Sequence, residues 1–139
     1  MAGSKLDGAG TVKMATLETA FAHVQRVHGI VEQMAMALKR AQSTAPFGLQ
    51  LRRVATPLVG LLKAQFGMIS DQVTTLILIA TRGGNEQAKV RSLREGVASV
   101  RTALEIAVTK VKAQHAREEG GAEDAPGGAP EGGGTPPAA

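Results

Sequence analysis

Three arginines in the last stretch with helical apolar periodicity are the residues whose type and spacing best suit the binding of a ligand. Arg91, Arg94 and Arg101 follow one another at steps of three and seven, so on a helix they project from one side. A guanidinium group donates two parallel hydrogen bonds to a phosphate and adds a positive charge. The spacing therefore predicts a surface that binds the backbone of a nucleic acid, either RNA or DNA. A solvated arginine face, or one paired with acids of a partner protein, is the competing interpretation.

A second basic pair, Arg52 and Arg53, lies in an earlier apolar-periodic stretch and would extend this nucleic-acid-binding surface. Stacking of bases requires aromatic side chains, and the chain has only Phe21, Phe47 and Phe66, which we expect in the core. Binding should therefore be directed mainly to the sugar-phosphate backbone, sensitive to salt and weakly selective for sequence.

No pattern of an enzyme active site is present. Cysteine, tryptophan and tyrosine are absent, and the three histidines are scattered. His23 and His28 are five residues apart, which does not align two metal ligands on one helix face. His28 and Glu32 have the spacing of a surface pair rather than of an acid and base held in a cleft. We expect a non-enzymatic protein with no catalytic residue, metal or cofactor.

The charge distribution separates a basic body from an acidic tail. Residues 14–117 carry fourteen Lys and Arg against six acids, a net charge of +8, whereas the whole chain carries +4. The compensating acids follow residue 117 and are Glu118, Glu119, Glu123, Asp124 and Glu131. Such a distribution indicates a polyanionic partner, with the tail either competing for the basic surface or aiding solubility.

The first and the last stretches in which apolar residues recur at helical spacing predict two long helices. The last is expected from about Glu86 to His115, and its apolar seam follows helical steps of three and four: Val90, Leu93, Val97, Val100, Leu104, Ala107 and Val111. The first is expected from Ala15 to Gln42, with Thr16 as its N-cap. Its stripe is Leu17, Phe21, Val24, Val27, Val31, Met34 and Leu38.

The middle of the chain predicts a long helical path from Phe47 to Thr81. Its apolar positions are Leu51, Val54, Leu58, Leu62, Ile69, Val73, Leu76 and Ala80. Pro57 should kink or restart the helix, and Gly67 is a second candidate break, with Ser70 available as a cap. The path is one kinked helix or two shorter ones, so the chain has three or four helices in all.

The segment Thr81–Asn85 is the clearest break between helices. Gly83 suits the left-handed position after a helix, and Asn85 can cap the next one. The two glycines are not part of a phosphate-binding loop, since the GxxxxGK[ST] pattern is missing and no strand precedes them. No alternation of period two occurs, so strands are not expected.

Both ends of the chain differ in composition from this region. Residues 1–13 and 118–139 are rich in Gly, Ala and Pro without apolar periodicity, so we expect them to be disordered and the helical bundle to occupy residues 14–117. The absence of cysteine and of an apolar signal segment predicts a cytoplasmic protein. The most apolar run is too short to cross a membrane.

One stretch resembles a known family. The segment PFGLQLRRVATPLVGLLKAQFG, residues 46–67, is similar to the second-helix region of the four-helix-bundle proteins encoded in 23S rRNA intervening sequences, and SVRTALEIA, residues 99–107, is similar to a later helix of that family. Only Arg52 and Arg53 match a motif position, and the run LLKAQ stands where the family has Asn-Ile-Ala-Glu-Gly. Accessory proteins of diversity-generating retroelements share this bundle. The resemblance implies a pentamer with a basic surface that works with a reverse transcriptase and its template RNA.

Together these patterns predict an all-α antiparallel bundle of three or four long helices with disordered termini. We expect a homo-oligomer, because the apolar residues in two of the helices cover more than a single seam. The predicted function is that of a basic adaptor that binds nucleic acid through Arg52, Arg53, Arg91, Arg94 and Arg101, with a possible polymerase-type protein partner. The alternative is a structural or assembly protein whose helices pack against a protein partner.

Overall fold

The protein is all-α, and its computed structural model describes residues 5–117. The elements are β1 (Lys5–Leu6), α1 (Gly8–Lys39), α2 (Ala45–Lys63), α3 (Gly67–Thr81), α4 (Glu86–His115) and β2 (Ala116–Arg117). The predicted helical bundle is confirmed, and the two alternatives for the middle of the chain resolve into four helices. The predicted disorder of residues 1–4 and 118–139 lies outside the described residues.

Two compact units divide the chain. The larger comprises residues 15–108, and residues 5–14 and 109–117 belong to the smaller. In the larger unit the sequence pattern identified the core correctly: all eight apolar positions of the α2–α3 path are buried, as are the α4 seam residues from Val90 to Ala107. The α1 stripe is buried as well, except that Phe21 and Leu38 are half-buried. Helical phase alone was sufficient because each helix has one apolar face.

Helices α2 and α3 pack against each other in antiparallel orientation. Near the turn between them, the Ser70 hydroxyl donates a hydrogen bond of 2.9 Å to the Val59 carbonyl oxygen. At the far end Gly48 lies so close to the carbonyl oxygen of Ala80 that a side chain at position 48 would collide with it. Ser70 therefore donates a hydrogen bond from α3 to α2. It is not the N-cap of α3, although the sequence had suggested that role.

Helices α1 and α4 are also antiparallel within the larger unit. Glu32 contacts Arg94 and Gln25 contacts Arg101, so positions seven residues apart on one helix meet positions seven apart on the other. Helices α3 and α4 are in close contact where Gly96 faces the Leu76 side chain, because glycine has no side chain that would keep the two helices apart.

Two local predictions, the restart at Pro57 and the left-handed conformation of Gly83, need correction. Helix α2 continues through Pro57, which is exposed, so the helix does not restart at this residue. The second predicted break, at Gly67, is confirmed, because α2 ends at Lys63 and α3 begins at Gly67. The glycine with positive φ in the loop before α4 is Gly84, at 120°, rather than Gly83. Asn85 does cap α4, accepting a hydrogen bond from the Ala88 amide at 2.9 Å.

The smaller unit explains why α1 begins at Gly8 instead of Ala15. The Asp7 carboxylate caps the helix by accepting a 2.7 Å hydrogen bond from the Gly10 amide. The Asp7 amide donates to the His115 carbonyl oxygen at 3.0 Å, and Lys5 and Leu6 pair antiparallel with Arg117 and Ala116. Residues 8–13, predicted to be disordered, are therefore helical because long-range contacts anchor their first turn. The antiparallel pairing of β1 with β2 also differs from the expectation that the chain has no strands.

Among the described residues, none of the helices is both long and apolar enough to cross a membrane.

Candidate nucleic-acid interface

The antiparallel helices bring four helix ends together on one end of the larger unit. There α1 and α3 finish, and α2 and α4 begin. A set of Lys and Arg side chains lies in this region, and we call these residues the basic end: Lys39, Arg40, Arg82, Lys89 and Arg91. The segments that supply them, residues 39–42 and 82–91, contain a single acid, Glu86. Charges from the ends of α1 and α3 and from the start of α4 are thus collected in one region.

A groove of about 600 Å³ runs between α1 and α4 at the basic end. Lys39 and Arg91 line it together with Met36, and Glu32 and Arg94 lie further along the same groove. Lys39 and Arg91 are exposed, and neither makes an ion pair or hydrogen bond through its side chain with another described residue. Both cations are therefore available to an anionic ligand.

Arg94 differs from Lys39 and Arg91, because its side chain is paired with an acid. Its Nε and Nη2 atoms donate hydrogen bonds of 3.0 and 2.8 Å to the two carboxylate oxygens of Glu32, and the two side chains are about half exposed. The hydrogen bonds from Arg94 lower the pKa of Glu32, with a further contribution from the positive charge itself, and raise the pKa of Arg94. This pairing neutralises Arg94 and occupies the Nε–Nη2 edge of its guanidinium group, so Arg94 would have to exchange Glu32 for a phosphate in order to bind one through that edge.

The remaining predicted arginines have separate environments. Arg101 is half-buried and donates a hydrogen bond of 3.2 Å to the side-chain oxygen of Gln25. Arg52 and Arg53 are exposed on α2, about two turns after its start, and no hydrogen bond or ion pair within residues 5–117 joins them to α4. The structure thus supports Arg91 as a free cation, whereas Arg94 and Arg101 already link α4 to α1.

A second cleft, of about 350 Å³, lies where α3 ends and α2 and α4 begin. It is lined by Arg82, Lys89 and Glu86, together with Ala45 and Leu49 of α2. The backbone donors at the start of α2 are already engaged: the Ser43 hydroxyl accepts from the Ala45 amide, and Thr44 O accepts from the next two amides. An anion in this cleft would therefore be bound by side chains.

Four members of the basic end were not selected from the sequence: Lys39, Arg40, Arg82 and Lys89. Lys39 and Arg40 lie where cations interact favourably with the C-terminus of a helix, so their position alone did not indicate a binding surface. The topology of the bundle would have identified these four residues. In an antiparallel bundle of four helices, the cations at the end of the first and third helices must lie beside those at the start of the fourth.

The described side chains contain no group of three or more His, Cys, Asp or Glu residues that could hold a metal ion. No protein-family model, curated protein or solved structure matches the chain.

Proposed function

We propose that this protein is a non-enzymatic helical bundle that binds RNA or DNA through the phosphate backbone, with the basic end as its principal contact surface. The observation that carries the proposal is the convergence of five Lys and Arg residues at the ends of α1 and α3 and near the start of α4, in segments that contain a single acid, Glu86. Like charges gathered at one end of a bundle repel one another, and a polyanion relieves that repulsion.

The side chains favour recognition of the backbone over recognition of bases. Phe21, Phe47 and Phe66 are all half-buried, so none of them presents an open stacking surface. The exposed cations supply charge and hydrogen-bond donors but no fixed arrangement that distinguishes base edges. If four or five phosphates are neutralised, the logarithm of the binding constant should fall with the logarithm of salt concentration with a slope of roughly −3 to −4.5.

The direct test is fluorescence anisotropy with a labelled single-stranded RNA and a labelled DNA duplex at several salt concentrations. Lys39→Glu combined with Arg91→Glu reverses two charges in the α1–α4 groove and should abolish binding at moderate salt. The matched control is Arg26→Glu combined with Lys63→Glu, which makes the same change in net charge at exposed positions of α1 and α2 away from the basic end.

The two double variants separate local binding from a general effect of charge. Equal losses in both would mean that only net charge matters, and the basic end would not be the contact surface. Absence of any salt-sensitive binding by the unmodified protein would refute the function itself. Circular dichroism of each variant verifies that the helices are retained.

The family resemblance adds a polymerase-type partner, such as a reverse transcriptase, to this proposal. Arg52 and Arg53, the positions that carry the resemblance, lie exposed on α2 and are available to such a partner. Co-purification with a candidate enzyme, compared between the unmodified chain and an R52E/R53E variant, would test this part separately from RNA binding.

A further inference from the structure

Helix α3 has a second periodic stripe on the side that faces away from the core. The stripe consists of exposed residues at steps of three, four, three and four: Met68, Asp71, Thr75, Leu78 and Arg82. Met68 is 83% exposed and Leu78 is 61% exposed, although both are large apolar residues. This spacing is the heptad pattern that places one helix against another.

The stretch of α3 between the two charged members of this stripe, Asp71 and Arg82, contains no other charge. From Gln72 to Thr81 there is no Lys, Arg, Asp or Glu. The hydroxyls of the exposed threonines are engaged within α3 itself, each donating to the carbonyl oxygen four residues earlier: Thr74 to Ser70, Thr75 to Asp71 and Thr81 to Ile77. Because their donors are already used, these side chains can be removed from water at little energetic penalty.

The two charged members of the stripe are of opposite sign and lie on either side of its central residues, Thr75 and Leu78. Asp71 is near the start of α3, and Arg82 directly follows its last residue. Within residues 5–117 neither side chain has an ion-pair partner. A helix face with an acid at one end, a base at the other and an apolar centre is complementary to the same face turned end to end.

We propose that a second copy of this chain docks on this stripe, with the two α3 helices antiparallel about a twofold axis. Heptad pairing then places Asp71 of each copy against Arg82 of the other, and Thr75 of each copy against Leu78 of the other. The Asp71–Arg82 ion pair and the Thr75–Leu78 contact each form twice, as a twofold interface requires. The occupant is assigned by this charge pattern, which a different protein would have to reproduce.

The interface is small. Helix α3 has 15 residues, which gives it a length of about 22 Å. A single helix pair of that length lies at the lower end of specific interfaces, below about 1,200 Å² of total buried surface. The dimer should therefore form reversibly, with a dissociation constant on the order of micromolar to hundreds of micromolar.

Sedimentation velocity of the full chain without nucleic acid, over concentrations from about 1 μM to about 1 mM, measures this equilibrium. Leu78→Glu should weaken association at least about tenfold, since it buries a charge at the centre of the interface. Ile106→Glu, the same kind of change at a 51% exposed apolar residue of α4, should leave association unchanged. A chain that remains monomeric throughout, or a dimer lost with I106E and retained with L78E, overturns the proposal.

Charge exchange tests the orientation of the helices. D71R alone and R82D alone each place like charges opposite one another, so each variant should associate at least about tenfold more weakly than the unmodified chain. An equimolar mixture of the two variants restores opposite charges at both ends and should dimerise again, as should the double variant D71R/R82D. Failure of both the mixture and the double variant to recover would rule out the antiparallel pairing.

The Leu78 and Asp71 variants test the dimer independently of the proposed function. Arg82 belongs to both surfaces, whereas Asp71 and Leu78 belong only to the stripe. Loss of dimerisation in L78E with RNA binding retained, or loss of RNA binding in the Lys39 and Arg91 variant with dimerisation retained, assigns each property to its own surface.

Discussion

Replacement of Glu32 by Gln should strengthen binding of nucleic acid. Glu32 holds Arg94 through two hydrogen bonds of 3.0 and 2.8 Å in the same groove as Lys39 and Arg91. Glu32→Gln keeps the size of the side chain but removes its charge, so Arg94 is no longer neutralised. The groove then offers three cations where the unmodified protein offers two.

The magnitude follows from the release of counterions. One additional phosphate contact makes the salt slope steeper by about 0.7 for a single strand and about 0.9 for a duplex. At roughly 0.1 M monovalent salt these slopes correspond to binding about fivefold and eightfold tighter, respectively. The gain should shrink steadily as salt is raised and disappear near about 1 M.

Anisotropy titrations at four salt concentrations measure both the affinity and the slope. Glu18→Gln is the matched control, because it removes one exposed acid from the same helix, 14 residues from Glu32 and therefore about 21 Å along α1. That separation exceeds the screening length of about 10 Å at 0.1 M salt, so E18Q should change binding little. An E32Q variant with unchanged affinity and slope, or an E18Q variant with the same gain, would refute the reasoning.

Three further predictions concern stability. Ala41, which follows α1 with a φ of 58°, occupies the left-handed conformation that favours glycine, so Ala41→Gly should raise the free energy of unfolding by about 1 kcal/mol, measured by urea denaturation. Two glycines of α2 should respond in opposite directions to substitution by alanine: Gly48→Ala forces a methyl group against Ala80 O and should cost about 1 to 3 kcal/mol, whereas Gly60→Ala meets open space and should stabilise by about 0.5 to 1 kcal/mol. A melting temperature raised by both changes, or lowered by both, would contradict the packing described for this helix. Because pairing with Arg94 lowers the pKa of Glu32 in the folded protein, its contribution to stability is present above the unfolded-state pKa of about 4.3 and is lost as the pH falls through the folded-state pKa. The difference in melting temperature between the unmodified protein and E32Q should therefore be largest near neutral pH and vanish in acid.

The sequence predicts the fold well because each helix buries one clear apolar stripe, and every predicted apolar position of α2 and α3 is buried. It predicts the start of α1 poorly, since the signals there are a capping aspartate and contacts from a residue 108 positions away, His115. Pro57 is tolerated because its ring lies on the exposed side of α2. Composition and spacing indicate only how strongly a segment favours a helix. The start of α1 and the tolerance of Pro57 depend instead on what the segment contacts in the fold.

The candidate interface was predicted only in part for the same reason. Arg91 emerged from spacing alone and has no partner within residues 5–117. Arg94 and Arg101 were indistinguishable from it in sequence, but their partners Glu32 and Gln25 lie 62 and 76 residues away. The convergence of cations from three helix ends requires the antiparallel topology, which periodicity does not specify.

The separation of these contacts along the chain also sets an order of folding. The Val59–Ser70 contact between α2 and α3 closes a segment of 11 residues, whereas the Glu32–Arg94 contact closes one of 62. The longer closure costs about 1.5 kcal/mol more in chain entropy, so we expect α2 and α3 to pair early and α1 to meet α4 late. The groove that holds Lys39 and Arg91 is then the last part of the larger unit to form and the first to open. A nucleic acid that contacts both side chains at once would bridge these two helices and slow their separation, so bound RNA should lower the unfolding rate of the protein.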